Sequence, residues 1–374
     1  MAKYRFEQIA FNSTEKKIPN DHDRLLYIGL EHLDSGSLRV TRWGSDVPIK
    51  GEKLVMHKGD VLFGKRNAYL RRAAIAPHDG TFSAHGMVLR PNEQIVCKEF
   101  FPHFIASDYF FDEAIRISVG SLSPTVNWKD LRYCEFELPS LEEQKRLAKA
   151  LWAVNYTIET YKNLLKKTDE LVKSQFMEMF GDPTTNPMGW EIKPLYEVAE
   201  YFIGLTYRPS DIAERGTIVL RSGNIQDAKL DFGDVVRVNL EVRKQLYVHE
   251  NDILMCSRNG SAELVGKVAK IPKMTENMTF GAFMTIIRTV YHDYIFSYFQ
   301  TDAFRSQINT GKTATINQIT KAMLDKVVLP LPPLPLQEQF AEFVRQTDKS
   351  KFELEQALAE LTATYKRIIS ENLG

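Results

Sequence analysis

The chain has little cysteine: Cys97, Cys134 and Cys256 stand far apart in 374 residues. An odd, scattered set argues against a disulfide framework or a cysteine zinc site and fits a reducing cytosol. Long apolar runs are also missing. None approaches the roughly 18 residues a membrane span needs. The opening "MAKYRFEQIAFNSTEKK" lacks the apolar centre of a secretory signal, so a cytoplasmic location is expected. Net charge is absent too. Lys+Arg and Asp+Glu both number 48, so the total points to no polyanionic partner. Nucleic acid stays open, because local charge patterning matters more than the sum.

Catalytic signatures are equally scarce. There is no G-x-G-x-x-G, no G-x-S-x-G and no H-E-x-x-H. "TGKT" (310–313) resembles the end of a phosphate-binding P-loop, but Ser306 stands where its first glycine belongs. "NPM" lacks the N-P-P-[YF] pattern of adenine methyltransferases. The eight histidines show no metal-ligand spacing. Acidic residues are common enough that a nuclease-like cluster would arise by chance. Signals of enzymatic chemistry thus mostly fail.

What is present is repetition. "LPSLEEQKRLA" (138–148) returns as "LPPLPLQEQFA" (331–341), both reading L-P-x-L-x-x-Q-x-x-[L/F]-A. Around these anchors, "YIGLEHLDSGSLRV" resembles "LRSGNIQDAKLDF", and "KGDVLFGKRN" (58–67) resembles "ENDILMCSRN" (250–259). "TFSAHGMVLR" (81–90) resembles "TFGAFMTIIR" (279–288), and "SVGSLSPTVNWKDL" resembles "NTGKTATINQITKAML". The separations drift, as expected where loop insertions part matched strands. Two copies make a duplicated domain, whereas a solenoid needs at least three stacked units. The chain is also too long for one ordinary core.

Each copy reads as mixed α/β, of the α+β kind. Short runs such as "DVLFG", "GMVLR", "DILMC" and "MTIIR", bounded by Gly, Asn and Asp, predict strands. "FFPHFIASDYFFDEAIRIS" and "YIFSYFQTDAFRSQIN" predict helices. After each L-P-x-L phrase the apolar positions alternate spacings of four and three. They are Leu147, Leu151, Val154, Ile158, Tyr161, Leu165, Thr168 and Val172, then Phe340, Val344, Thr347, Lys351, Leu354, Leu358, Leu361, Tyr365 and Ile368. That is a coiled-coil seam; an amphipathic helix lying on its own domain is the plainer alternative. Roughly 37 residues at ~1.5 Å each span on the order of 55 Å, more than the ~34 Å turn of B-DNA. Thr168, Thr347 and Lys351 either set the register or mark where the seam is wet. The first helix should stop at "FGDPTTNPMGW", with Gly181 past its end and prolines behind it. The expected order is domain 1–137, helix 138–180, domain 181–330, helix 331–374. Antiparallel pairing of the helices would make a ruler between two domains related by a pseudo-two-fold, which suits duplex DNA.

The best nucleic-acid signal is "HKGDVLFGKRNAYLRR" (57–72), with Lys58, Lys65, Arg66, Arg71 and Arg72 against Asp60, and Tyr69 between. Lys and Arg in a turn hold phosphates or read guanine, and Asn67 is placed to read adenine. A solvated basic hairpin explains the same composition. The matching "CSRNGSAELVGKVAK" (256–270) offers Arg258 and Asn259 with Lys267 and Lys270, and is less basic. A second pair is the glycine-centred loop "SVGSLSPTV", with Ser121, and its mate "NTGKTATI", with Lys312 and Thr313. Each is either a close approach to a DNA backbone or a plain strand–helix connection. Arg208 and Arg221 are weaker candidates.

"LPSLEEQKRLAKAL", "FGDPTTNPMGW" and "LPLPPLPLQEQFAEFV", set in two diverged halves, resemble the DNA specificity subunit of a type I restriction-modification system. "GKRNAYLRRAAIAPHDGTFSAHGMVLRP" resembles a target recognition domain of that family. The resemblance covers nearly the whole chain. It implies that each globular half reads one short half-site and that an antiparallel coiled coil fixes the spacer. It also implies two docked methyltransferase subunits that use S-adenosylmethionine and flip out adenine. A motor-nuclease restriction subunit using ATP and Mg is implied as a further partner. Recognition domains vary within the family, so no residue set carries over. Two other readings stay open. One is the specificity partner of a fused restriction-methyltransferase, told apart by its copurifying partner. The other is a coiled-coil protein scaffold, told apart by a lack of salt-sensitive DNA binding.

Overall fold

The computed structural model describes residues 1–308 and 317–373. The chain divides into two compact units, Met1–Leu164 with Leu354–Gly374, and Leu165–Glu353. Each contains one globular body and a segment of both long helices, Leu141–Phe180 and Leu334–Leu373. Both units share the topology of one four-stranded sheet. In the first, a four-stranded antiparallel sheet orders strands Ala10–Ser13, Met87–Pro91, Val61–Phe63 and Ala73–Ile75. In the second, the sheet orders Glu200–Ile203, Met284–Arg288, Ile253–Cys256 and Val268–Lys270. A parallel pair recurs beside each: Ile28 opposes Phe82, and Leu220 opposes Phe280. The repeat read from the quoted phrases is thus a repeat of strands and register.

One buried ion pair fixes the same corner in both sheets. Asp60 accepts the His57 amide and two bonds from Arg90, at 2.8 and 2.9 Å. Asp252 accepts the His249 amide and two bonds from Arg288, at 2.8 and 2.6 Å. The Asp252 side chain is only 2% exposed, that of Asp60 9%. Such a carboxylate is tolerable only when paired and fully bonded.

The L-P-x-L phrase repeats for a structural reason. Each ends a strand, Glu135–Leu138 or Val328–Leu331, and starts a long helix three residues later. The strands pair with the first strand of their own unit, Ala2–Arg5 or Glu191–Pro194. The repeated glutamine is buried in the corner. Gln144 donates to the carbonyls of Pro139 (2.9 Å) and Ile95 (3.1 Å) and accepts from the Cys97 amide (2.8 Å). Gln337 donates to Pro332 at 2.7 Å. These are otherwise orphaned backbone groups at a turn, and burying them unpaired would be costly.

The seam positions face inward along both helices. Leu147, Leu151, Ile158, Phe340 and Thr347 are buried, and the others are half-buried. Within the second unit, Phe176 and Phe180 pack on Phe340, while Asp169 pairs with Lys351. Advancing along one helix retreats along the other, so the segments run antiparallel. Lys351 therefore makes a specific cross-helix pair rather than a wet gap. Within the first unit, residues 141–164 and 354–373 pack on the same aromatic core, built on Phe6, Phe104, Phe110 and Phe136. The first helix stops where expected. Gly181 takes φ +76°, and a Cβ there would meet the Pro187 Cγ at 2.6 Å. Trp190 Nε1 caps the Phe180 carbonyl at 3.0 Å, and Asn186 ties both backbone groups of Trp190.

Candidate nucleic-acid interface

The two candidate loops of the first unit come together at one edge of the sheet. The Val126 amide donates to the Lys65 carbonyl (2.9 Å), and the Asn67 amide to the Pro124 carbonyl (2.7 Å). Arg66 bridges Thr125 through its backbone, and its Nη2 donates to Ser123 Oγ at 3.1 Å. The basic loop and the glycine-centred loop are thus one surface. Ser121 lies exposed at its tip, beside Leu122, which is 95% exposed.

Side chains on this edge divide by role. Lys65 is half-buried without an ion pair among the described residues; burial lowers its amine pKa, and the charge of Lys16 lowers it further. A cation so placed gains from a nearby anion such as a phosphate. Arg72 also makes no ion pair among the described residues. Arg71, by contrast, is spent on the fold. It bonds Asp108 (2.8 Å) and Asp112 (2.5 Å) and lies over the Phe111 ring. Asn67 and Arg71 both adopt left-handed backbone, at φ +55° and +48°. They bracket the short turn Ala68–Leu70, and such conformations persist only when the surroundings impose them.

The second unit repeats the edge. The Ile319 amide donates to the Ser257 carbonyl at 2.7 Å, and Arg258–Asn259 pairs antiparallel with Asn317–Gln318. Ser257, Arg258 and Asn259 therefore stand where Lys65, Arg66 and Asn67 stand. Asn259 Nδ2 donates to Ser222 Oγ at 3.1 Å, which joins this loop to the turn after Arg221. Arg221 itself bonds Asp234 at 2.9 Å. Arg258 rests on the Phe283 ring, 5.3 Å from its centroid. Arg208 is exposed on a separate turn, where its amide donates to Asp211. Lys312 and Thr313 lie outside the described residues.

Sequence reasoning missed a third segment in each edge. The Arg66 amide donates to the His85 carbonyl (3.2 Å), and the Arg258 amide to the Phe283 carbonyl (3.0 Å). Both residues sit at exposed turn tips. The aligned phrases "TFSAHG" and "TFGAFM" hold the signal, since they place His85 and Phe283 at the same register. Among the described residues, no group of His, Cys, Asp and Glu is arranged to hold a metal ion. No helix among them is long and apolar enough to cross a membrane.

Fold and site together define a tandem protein with one loop-built edge, rich in hydrogen-bonding side chains, on each repeat. The chain belongs to the family of the type I restriction modification DNA specificity domain, whose model matches residues 15–168 and 187–362. It is 30% identical over 184 residues to the type I restriction enzyme EcoKI specificity subunit of Escherichia coli K12, covering 46% of this chain and 39% of that one. The match therefore spans well under half of that relative. The chain named as the MjaX specificity subunit of Methanocaldococcus jannaschii is 24% identical over 348 residues, 85% of this chain and 79% of that one. The fold resembles the type I restriction-modification S subunit from M. genitalium, with a TM-score of 0.54 at 11% identity over 100% of this chain and 96% of that one. A chain solved in work on complex assembly and conformational transition of the type I R-M system gives a TM-score of 0.55 at 21% identity, over 99% and 97%.

Proposed function

We propose that this chain is the DNA-reading specificity subunit of a type I restriction-modification complex. One observation carries the reading beyond family membership: the same three-segment edge is built twice, with one backbone lock at Lys65–Val126 and Ser257–Ile319. A repeated edge with different side chains suits a bipartite target, one half-site per recognition domain (1–137 and 181–330). The long helices within the stretches 138–180 and 331–374 then set the spacer. At 40 residues each, they supply ~60 Å of rod at ~1.5 Å per residue.

In this reading the chain is not itself an enzyme and binds no cofactor. Two methyltransferase subunits dock on it and hold S-adenosylmethionine. A motor-nuclease restriction subunit brings ATP and Mg chemistry. Work takes place in the cytoplasm, where the DNA is.

The test is selection of duplexes from a randomised library by the reconstituted complex of this chain with its methyltransferase. A split consensus with a fixed gap, bound with a steep salt dependence, is expected. Enrichment of no sequence, or of one uninterrupted block, refutes the reading.

A further inference from the structure

Phe283 is 57% exposed. A lone surface Phe is ordinary, but this one has a built setting. It ends a tight turn whose carbonyl accepts from both Ser257 (2.9 Å) and Arg258 (3.0 Å). Its ring carries the Arg258 guanidinium at 5.3 Å. That guanidinium makes no hydrogen bond or ion pair among the described residues, so its donors are unspent while it lies over the ring. Arg221, next to the turn that Asn259 bonds through Ser222, is instead paired with Asp234. The first unit holds His85 in the place of Phe283 and turns Arg66 to Ser123. The two edges share a backbone and differ in what this pair presents.

We propose that Phe283 and Arg258 together read one base step of the half-site served by the second unit. Arg258 offers its fork to the O6 and N7 acceptors of a guanine, and Phe283 packs on the 5-methyl group of an adjacent thymine. Both contacts lie in the major groove, where these groups distinguish the base pairs. Ring and guanidinium orient one another, so little side-chain freedom is lost on binding. Phe283 is then a specificity-determining residue, and the step it reads holds a guanine beside a thymine.

This inference rests on the proposed function, and one experiment separates their failures. Adenine methylation is sequenced in cells expressing the methyltransferase with wild-type chain, F283A, F283L or R258A. Wild type should give a split motif; a wild-type pattern with no split motif refutes the proposed function and this inference with it. Given a split motif, F283A should lower discrimination for thymine at one position of one half-site by about tenfold. R258A should relax the neighbouring guanine, and the other half-site should stay unchanged. An F283A motif identical to wild type overturns the inference while leaving the proposed function standing, as does equal loss at both half-sites. If F283A abolishes methylation, F283L, which keeps an apolar group, should restore the motif with thymine still preferred. F283L that is also inactive, or active without thymine preference, overturns it.

Discussion

The two units share a frame and differ in what fills it. In the first, the helices pack on the apolar core through Leu147, Leu151, Ile369 and Leu373 and add a polar contact: His103 Nδ1 lies 2.7 Å from the Tyr365 hydroxyl, with the Trp152 ring 4.5 Å away. In the second, the helices meet the body through an aromatic cluster of Phe176, Phe180, Tyr294 and Phe340. At the loop edges, Lys65, Arg66 and His85 correspond in the repeat to Ser257, Arg258 and Phe283. The matched backbone bonds are kept. Strand pairing and buried ion pairs hold the fold, so the exposed edge is free to vary in chemistry without cost to the frame.

The largest expected effect concerns the buried ion pairs. Arg288→Ala strands a carboxylate that is 2% exposed and should cost about 3–5 kcal/mol. Arg90→Ala should cost clearly less, because Arg90 is 38% exposed and its pair with Asp60 is partly screened. Denaturant unfolding of both variants checks the ranking. Next come the repeated glutamines. Gln144→Ala removes three bonds and leaves the Cys97 amide buried and unpaired, at about 1–3 kcal/mol. Gln337→Ala should cost less, since a single carbonyl bond is lost; the same unfolding measurement decides.

A pH series tests the helix contacts. Burial pushes the His103 imidazole down to about 3, against roughly 6.5 in an unfolded chain. The folded state thus resists protonation. Its stability is full above about pH 6.5 and falls as pH drops from there towards 3. His103→Gln removes this contribution, so between pH 7.5 and 5 the variant should gain about 2 kcal/mol relative to wild type. A constant difference across that range contradicts the assignment. The smallest effect should separate reading from folding in the basic loop. Lys65, Arg66 and Arg72 changed together to alanine should lower the salt slope of DNA binding by the complex by up to about three. Arg71→Ala should leave the slope alone and lower the melting temperature instead, because Arg71 serves Asp108 and Asp112.

Much of the frame was legible in the sequence. Periodicity located both long helices, and Gly181 with its following prolines located the first stop. The phrase repeats located matching strands because strand pairing constrains both copies alike. What Gln144 and Gln337 do was not legible, since their partners include carbonyls that only the folded corner brings near. The convergence of residues 64–72 with 118–127 was likewise hidden, because a backbone lock between distant loops leaves no residue-type signal. Nor did composition distinguish Arg71, committed to two carboxylates, from Lys65 and Arg72. His85 and Phe283 escaped notice because reading followed charge, and neither turn tip carries a fixed charge.

In the proposed function this chain chooses where a partner methyltransferase acts on DNA. Single-molecule sequencing of adenine methylation, in cells with this chain and its methyltransferase and in cells lacking this chain alone, tests it most directly. A motif of two short blocks around an unspecified gap, lost when the chain is removed, is expected. A motif that persists without the chain, or no split motif while the methyltransferase is expressed, would contradict it.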